Sequence, residues 1–116
     1  MTRAKAQTAF SITLALAFVA GLAVAGEART PLGKWMKPNV GTPLAGQDFA
    51  TLKTSLDLVA SKPPPSGDYG KWASISSAGS AAAAKQDLAG VKASCKQCHD
   101  AYKEKYIRDF PSRPFP

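Results

Sequence analysis

Proline sets the limits on what this chain can fold into. Three consecutive prolines, Pro63, Pro64 and Pro65, stand before Ser66 and Gly67 in the middle of the sequence. Proline lacks an amide donor and pushes the residue before it towards extended geometry, so neither a helix nor a central strand crosses this point. The run predicts a stiff connector between two helical halves. Elsewhere proline marks helix starts, as Thr30-Pro31 and again as Thr42-Pro43. Threonine at the N-cap with proline at the first helical position satisfies two needs of a helix start at once.

Between these marks the apolar periodicity is helical, and no stretch alternates apolar and polar residues for long enough to suggest a sheet. A short first helix of about two turns is expected from Pro31 to Met36 or Lys37, stopped by Pro38. A second, amphipathic helix is expected from Thr42 and Pro43 through Leu44, Phe49, Leu52, Leu56 and Val59. Asp68 is the expected cap of a third helix, running through Trp72, Ile75, Gly79 and Ala82 to about Ala84. Its small residues suit close packing on another backbone or on a flat rigid body. Asp87 is the expected cap of the last helix, on which Leu88, Val91, Cys95, Cys98, Tyr102 and Tyr106 recur as far as about Arg108. The tail, Phe110 to Pro116, reads as a proline-broken and poorly ordered end. The expected fold class is all-α, a compact four-helix bundle with a short first helix.

The N-terminus is set apart from this domain. Arg3 and Lys5 precede an uncharged, mostly apolar run from Phe10 to Ala25 that ends in the small-residue site Ala23-Val24-Ala25. This pattern reads as a secretory signal peptide over residues 1–25, leaving one domain over 26–116. The alternative is an uncleaved anchor, since about twenty apolar residues span a bilayer. A cleaved leader implies a periplasmic or otherwise exported protein with no membrane attachment.

Losing the leader takes two cations from a formal charge of +7. The remaining lysines are scattered singly, so the surface is modestly basic and nucleic acid is not an expected partner. A mature chain of about 90 residues buries only roughly 60 to 65% of its unfolded surface. Large aliphatic side chains are few and alanines many, so a cofactor is expected to complete the core. The chain without it is expected to be largely unfolded.

The chemistry concentrates in "CKQCH", Cys95 to His99, which holds every cysteine and histidine of the chain. At about 100° per residue, Cys95, Cys98 and His99 share one helix face. Covalent haem attachment needs that arrangement, with two thiols adding to the vinyl groups and the adjacent imidazole reaching the iron; Cys-x-x-Cys-His is the c-type signature. Three other readings fit less well. Structural zinc needs four ligands, and the mature chain has three cysteines and histidines. A thioredoxin-like pair starts a helix after a strand, whereas this pair lies two turns inside a helix. A Cys95–Cys98 disulfide closes too small a loop to constrain much. One covalent haem c is the expected cofactor, and Trp72, the alanine face of the third helix and Leu52 or Leu56 are expected to pack against it.

Trp72 to Tyr106 resembles the C-terminal half of the class II c-type cytochromes, the cytochrome c-prime and cytochrome c556 group, including the continuation of Cys98-His99 into Tyr102 and Lys103. The resemblance implies a four-helix bundle with His99 as proximal iron ligand. In low-spin members a methionine of the first helix, in a Met-Lys-x-Asn context, is the sixth ligand, and Met36, Lys37 and Asn39 supply that pattern. The chain is shorter than usual for the group, and Pro38 falls where the first helix normally continues.

The expected function is that of a periplasmic monohaem electron-transfer protein with His99 and Met36 as axial ligands. The alternative is a five-coordinate haem protein that binds nitric oxide or carbon monoxide, with Met36 as a core filler beside Trp35. A thiol-disulfide protein without haem is the third choice. Tyr102 is expected to pack on the haem edge, and Lys96, Lys103 and Lys105 to offer a docking face for redox partner proteins. No distal acid, base or second metal can be placed, so enzymatic turnover is not expected. Relatives of this kind are often dimers through their first two helices; here monomer and dimer both stay open.

Overall fold

A computed structural model describes residues 28–116; the expected signal segment, 1–25, lies outside the described residues. Helix α1, Pro31–Met36, begins as its sequence predicts, with the Thr30 hydroxyl accepting the Gly33 amide at 3.0 Å and Pro31 just inside. It does not stop at Pro38. The backbone stays right-handed through a π-helical turn, Lys37–Gly41, and into α2, Thr42–Ala45. A widened turn is how a helix accepts proline: the Thr42 amide reaches back five residues to the Lys37 carbonyl, and the Asn39 side-chain amide donates to the Trp35 carbonyl at 2.9 Å. These bonds hold carbonyls on either side of Pro38 while the backbone runs past it. Thr42 is consequently no cap, because it lies inside this composite rod.

The expected second helix is split for a related reason. Gln47 adopts a left-handed φ of 53°, the Gln47 amide donates to the Leu44 carbonyl and the Asp48 amide to the Pro43 carbonyl. That is a Schellman end. Asp48 then caps α3, Phe49–Ala60, by accepting from the Thr51 amide. The same device recurs between α4, Trp72–Ala84, and α5, Leu88–Asp109. Gln86 takes a φ of 57°, the amides of Gln86 and Asp87 return to Ala83 and Ala82, and Asp87 caps α5 by accepting from Gly90. Asp68, by contrast, caps nothing: α4 starts after Lys71, whose own side chain makes no capping bond.

The described residues form no strand, and none of their helices is long and apolar enough to cross a membrane. Helix α4 packs between α3 and α5. Its buried face, Trp72, Ile75, Ser76, Gly79, Ser80 and Ala83, follows helical spacing. A methyl group on Gly79 would lie 2.6 Å from Ser94 Oγ, and Ser94 itself donates to the Ile75 carbonyl at 2.7 Å. One on Gly90 would lie 2.9 Å from the Ala82 side chain. The small residues of α4 thus serve the approach of α5, and the alanine face is spent on helix contact.

Two apolar clusters result. One gathers Leu32, Val59, Ile75 and the aromatics Tyr69, Trp72, Tyr102 and Tyr106. The other gathers Val40, Leu52, Leu56, Ala83 and Val91. The tail is ordered against this frame, contrary to expectation: Phe110 packs on Tyr69 and Tyr106, and Phe115 on Trp35. Aromatic area and an arginine overcome the disorder that the prolines suggest.

Candidate cofactor-binding site

Helix α5 carries the Cys-x-x-Cys-His pattern two turns inside its N-terminus, fixed there by the Asp87 cap and by the Ser94 bond to α4. Cys95, next to Ser94, packs against the aliphatic cluster, and Cys98 against the aromatic one. Both thiols are free. Burial raises the Cys95 thiol above its ordinary value and, together with the neighbouring Cys95, pushes Cys98 up to about 11. A redox thiol needs the opposite shift. The described residues also lack the strand that a thioredoxin-like pair would follow.

His99 is exposed as a whole residue. Partial burial of its ring, then the charge of Lys103, lower its pKa, with Asp100 opposing. The imidazole is therefore neutral at pH 7, the form that offers a lone pair to a metal. Asp100 itself turns away and accepts from Lys96 at 2.7 Å.

Two clefts meet at His99. The larger, of about 400 Å³, runs between α1 and α5 and is walled by Leu32, Trp72, Tyr102 and Tyr106. The smaller, of about 240 Å³, is walled by Val40, Leu44, Leu56 and Val59 and reaches Cys95. Met36, Lys37, Cys98 and His99 line both. No Cα atom of α1, the π-helical turn or α2 comes within 8 Å of a Cα of α5. The rod and the last helix are held apart across the clefts by side chains alone.

This setting brings Met36 into one space with Cys95, Cys98 and His99, which stand some sixty positions further along the chain. The π-helical turn matters here, since it carries the rod on past Met36 to bring Val40 and Leu44 onto the second cleft wall. Trp72 and Tyr102, the residues expected to pack on a haem, both line the larger cleft. Their anchoring is independent of any bound group: the Trp72 indole donates to the Val59 carbonyl at 2.8 Å, and the Tyr102 hydroxyl accepts the Lys71 amide at 2.9 Å. Leu56 lines the smaller cleft, whereas Leu52 is fully buried behind it.

Tyr106 is the residue that sequence reasoning passed over as a site residue. It lies seven positions beyond His99, two helical turns on the same face, and that spacing was the available signal. Its ring is buried and lines the larger cleft, and its hydroxyl has no hydrogen-bond partner. Its aromatic ring therefore belongs to the cleft wall beside Leu32, Trp72 and Tyr102. Free paired thiols, a neutral imidazole and apolar walls fit a flat, largely apolar group. Haem answers that description.

Of the three lysines expected to form a docking face, Lys96 pairs with Asp100, and Lys105 pairs with Asp109 while lying 4.3 Å from the Tyr69 ring centre. Lys103 lines the larger cleft. Among the described residues no three histidines, cysteines or carboxylates converge as a metal-binding group. No protein family, characterised protein or solved structure matches this chain.

Proposed function

We propose that the chain is a monohaem c-type cytochrome of the class II kind, exported after loss of residues 1–25 and acting in electron transfer. Cys95 and Cys98 would hold the haem covalently, with His99 as proximal ligand and Met36 as sixth. One observation carries the reading: Met36 and His99 line the same two clefts, beside two free thiols, between helices whose backbones stay apart. When bound, the haem supplies a one-electron redox centre.

The chain's own residues would do three things for it. Cys95 and Cys98, rigid on the middle of a 22-residue helix, anchor one edge. His99, on the next turn of the same helix, presents a neutral nitrogen, while Met36 offers a thioether from the opposite wall, a ligand that raises the potential. Leu32, Trp72, Tyr102 and Tyr106 exclude water and lower the local dielectric. Of Lys96, Lys103 and Lys105, Lys103 is the one that lines the cleft and is best placed to meet an acidic redox partner.

Met36 also packs against both apolar clusters, and that favours one second reading, in which it fills space and the iron keeps an open position for nitric oxide or carbon monoxide. The visible spectrum of the oxidised, exported protein separates the two. A low-spin spectrum that turns high-spin on Met36→Ala supports electron transfer. A high-spin wild type that takes up carbon monoxide readily once reduced replaces that reading with gas binding.

A further inference from the structure

The segment from Phe110 to Pro116 leaves the end of α5 and crosses to α1. Phe110 packs beside Tyr69 and Tyr106, with ring centres 5.9 and 5.6 Å apart. Arg113 donates through Nη2 to the carbonyls of Lys62 at 3.2 Å and Pro63 at 3.3 Å, and its guanidinium lies 6.0 Å from the Phe110 ring centre. Phe115 then meets the Trp35 indole edge-on at 4.8 Å. That last contact falls one residue before Met36.

Helix α1 is anchored at its C-terminal end by the π-helical turn, which packs against α3. None of its Cα atoms comes within 8 Å of α3, α4 or α5. The rod it belongs to, Pro31 through Ala45, is itself short and marginal as an isolated helix. The grip of α1 on the core is made by the side chains of Leu32, Trp35 and Met36. Methionine, unbranched and flexible, does not fix its own position. The place of the Met36 sulfur therefore depends on what fixes Trp35. On one side the Asn39 amide holds the Trp35 carbonyl. On the other, Phe115 closes on the indole.

We propose that Phe110–Pro116 is a strap that positions Met36, tying the helix that bears Met36 to the helix that bears His99 around the outside of the cleft. The proposal rests on the reading of Met36 as the sixth ligand. Its midpoint is well chosen for a tie, because Arg113 grips carbonyls at the start of the proline connector, the stiffest stretch of the chain. Arg113 and Phe115 are thus positioning residues, acting on the iron through Trp35 and Met36.

The test uses the haem-loaded full chain with Phe115→Ala, Phe115→Trp, Arg113→Ala and Arg113→Lys. Two readouts are taken: hydrogen exchange of the Gly33 to Met36 amides, and the methionine-to-iron charge-transfer band of the oxidised protein with carbon monoxide uptake by the reduced one. Removing the edge-on aromatic contact is expected to speed exchange in α1 about tenfold, leaving α4 and α5 unchanged. The band weakens and carbon monoxide uptake quickens by a similar factor, while Phe115→Trp restores both. Arg113→Lys, which keeps the charge but loses the planar guanidinium beside Phe110, gives a milder form of the same effect and serves where an alanine variant fails to fold. A wild type that has the band, with variants that match it in exchange and in carbon monoxide uptake, overturns the strap alone. A wild type without the band overturns Met36 ligation and the strap's positioning role together.

Discussion

The hydroxyl of Tyr102 accepts the backbone amide of Lys71 at 2.9 Å, so a residue one turn beyond His99 also closes the open N-terminus of α4. Asp68 was expected to do this and does not. Tyr102→Phe leaves that amide without its acceptor while keeping the ring against Trp72 and the cleft. A loss of about 1 kcal/mol is expected in urea unfolding of the haem-loaded protein, with the visible spectrum unchanged. Unaltered stability would show that the amide is satisfied in another way.

The contact of α4 with α5 at Gly79 leaves no room for a side chain. In an open helix Gly→Ala stabilises by roughly 0.5 to 1 kcal/mol. Here the added methyl would meet Ser94 Oγ at 2.6 Å and Leu56 at 3.1 Å. Overpacking of this kind costs about 1 to 3 kcal/mol, so Gly79→Ala is expected to lower the unfolding free energy on balance. A variant more stable than wild type would contradict the packing described.

Gln86 ends α4 in the left-handed region, where a side chain costs about 1 kcal/mol and glycine nothing steric. Gln86→Gly is expected to raise stability by a few tenths of a kcal/mol up to about 1, and Gln47→Gly to act alike at the end of α2. Both should shift the urea midpoint with no change in slope. A lower midpoint would mean that the glutamine side chains make contacts that outweigh the strain.

Stability should fall at both ends of the pH scale. The Ser80 hydroxyl and then Lys53 hold Asp57 below the ordinary carboxylate value of 3.8, and Lys105 and then Tyr69 do the same for Asp109. A depressed folded pKa gives stability that is present above the ordinary value and lost as pH falls through the folded values. Tyr69, raised from 10.0 to about 12 by burial and by its bond to Asp109, does the reverse: its contribution is full below the ordinary tyrosine value and disappears as pH rises through the folded one. Asp109→Asn touches both limbs, so the thermal midpoint of that variant should vary less with pH than wild type in acid and in alkali. Parallel profiles would contradict the coupling.

The parts of this fold that were legible in the sequence are those set by local chemistry with one strong signal. Thr30-Pro31 starts α1, Asp87 starts α5, and the face shared by Cys95, Cys98 and His99 follows from helix geometry alone. What was not legible depends on residues that meet only after folding. Pro38 reads as a stop because its donor is missing, and nothing local says that Asn39 will hold the Trp35 carbonyl across a widened turn. Gln47 and Gln86 give no glycine signal for a left-handed end, although each Gln-Asp pair combines a helix stop with the next helix's cap. The tail looked disordered because prolines are visible in a sequence and the Trp35–Phe115 contact is not. Met36 was placed by resemblance; the shared clefts give it a spatial relation to His99 that spacing in the chain does not supply.

That Cys95 and Cys98 hold haem is the central claim, and it is tested most directly by the mass of the exported, denatured chain, taken with its visible absorption and with alkylation of its thiols. The expected result is one haem added to the chain 26–116, absorption that stays with the denatured polypeptide, no thiol open to alkylation, and loss of the covalent haem in the Cys95→Ala, Cys98→Ala double variant. A chain of unmodified mass, colourless and with two alkylatable thiols, would contradict it.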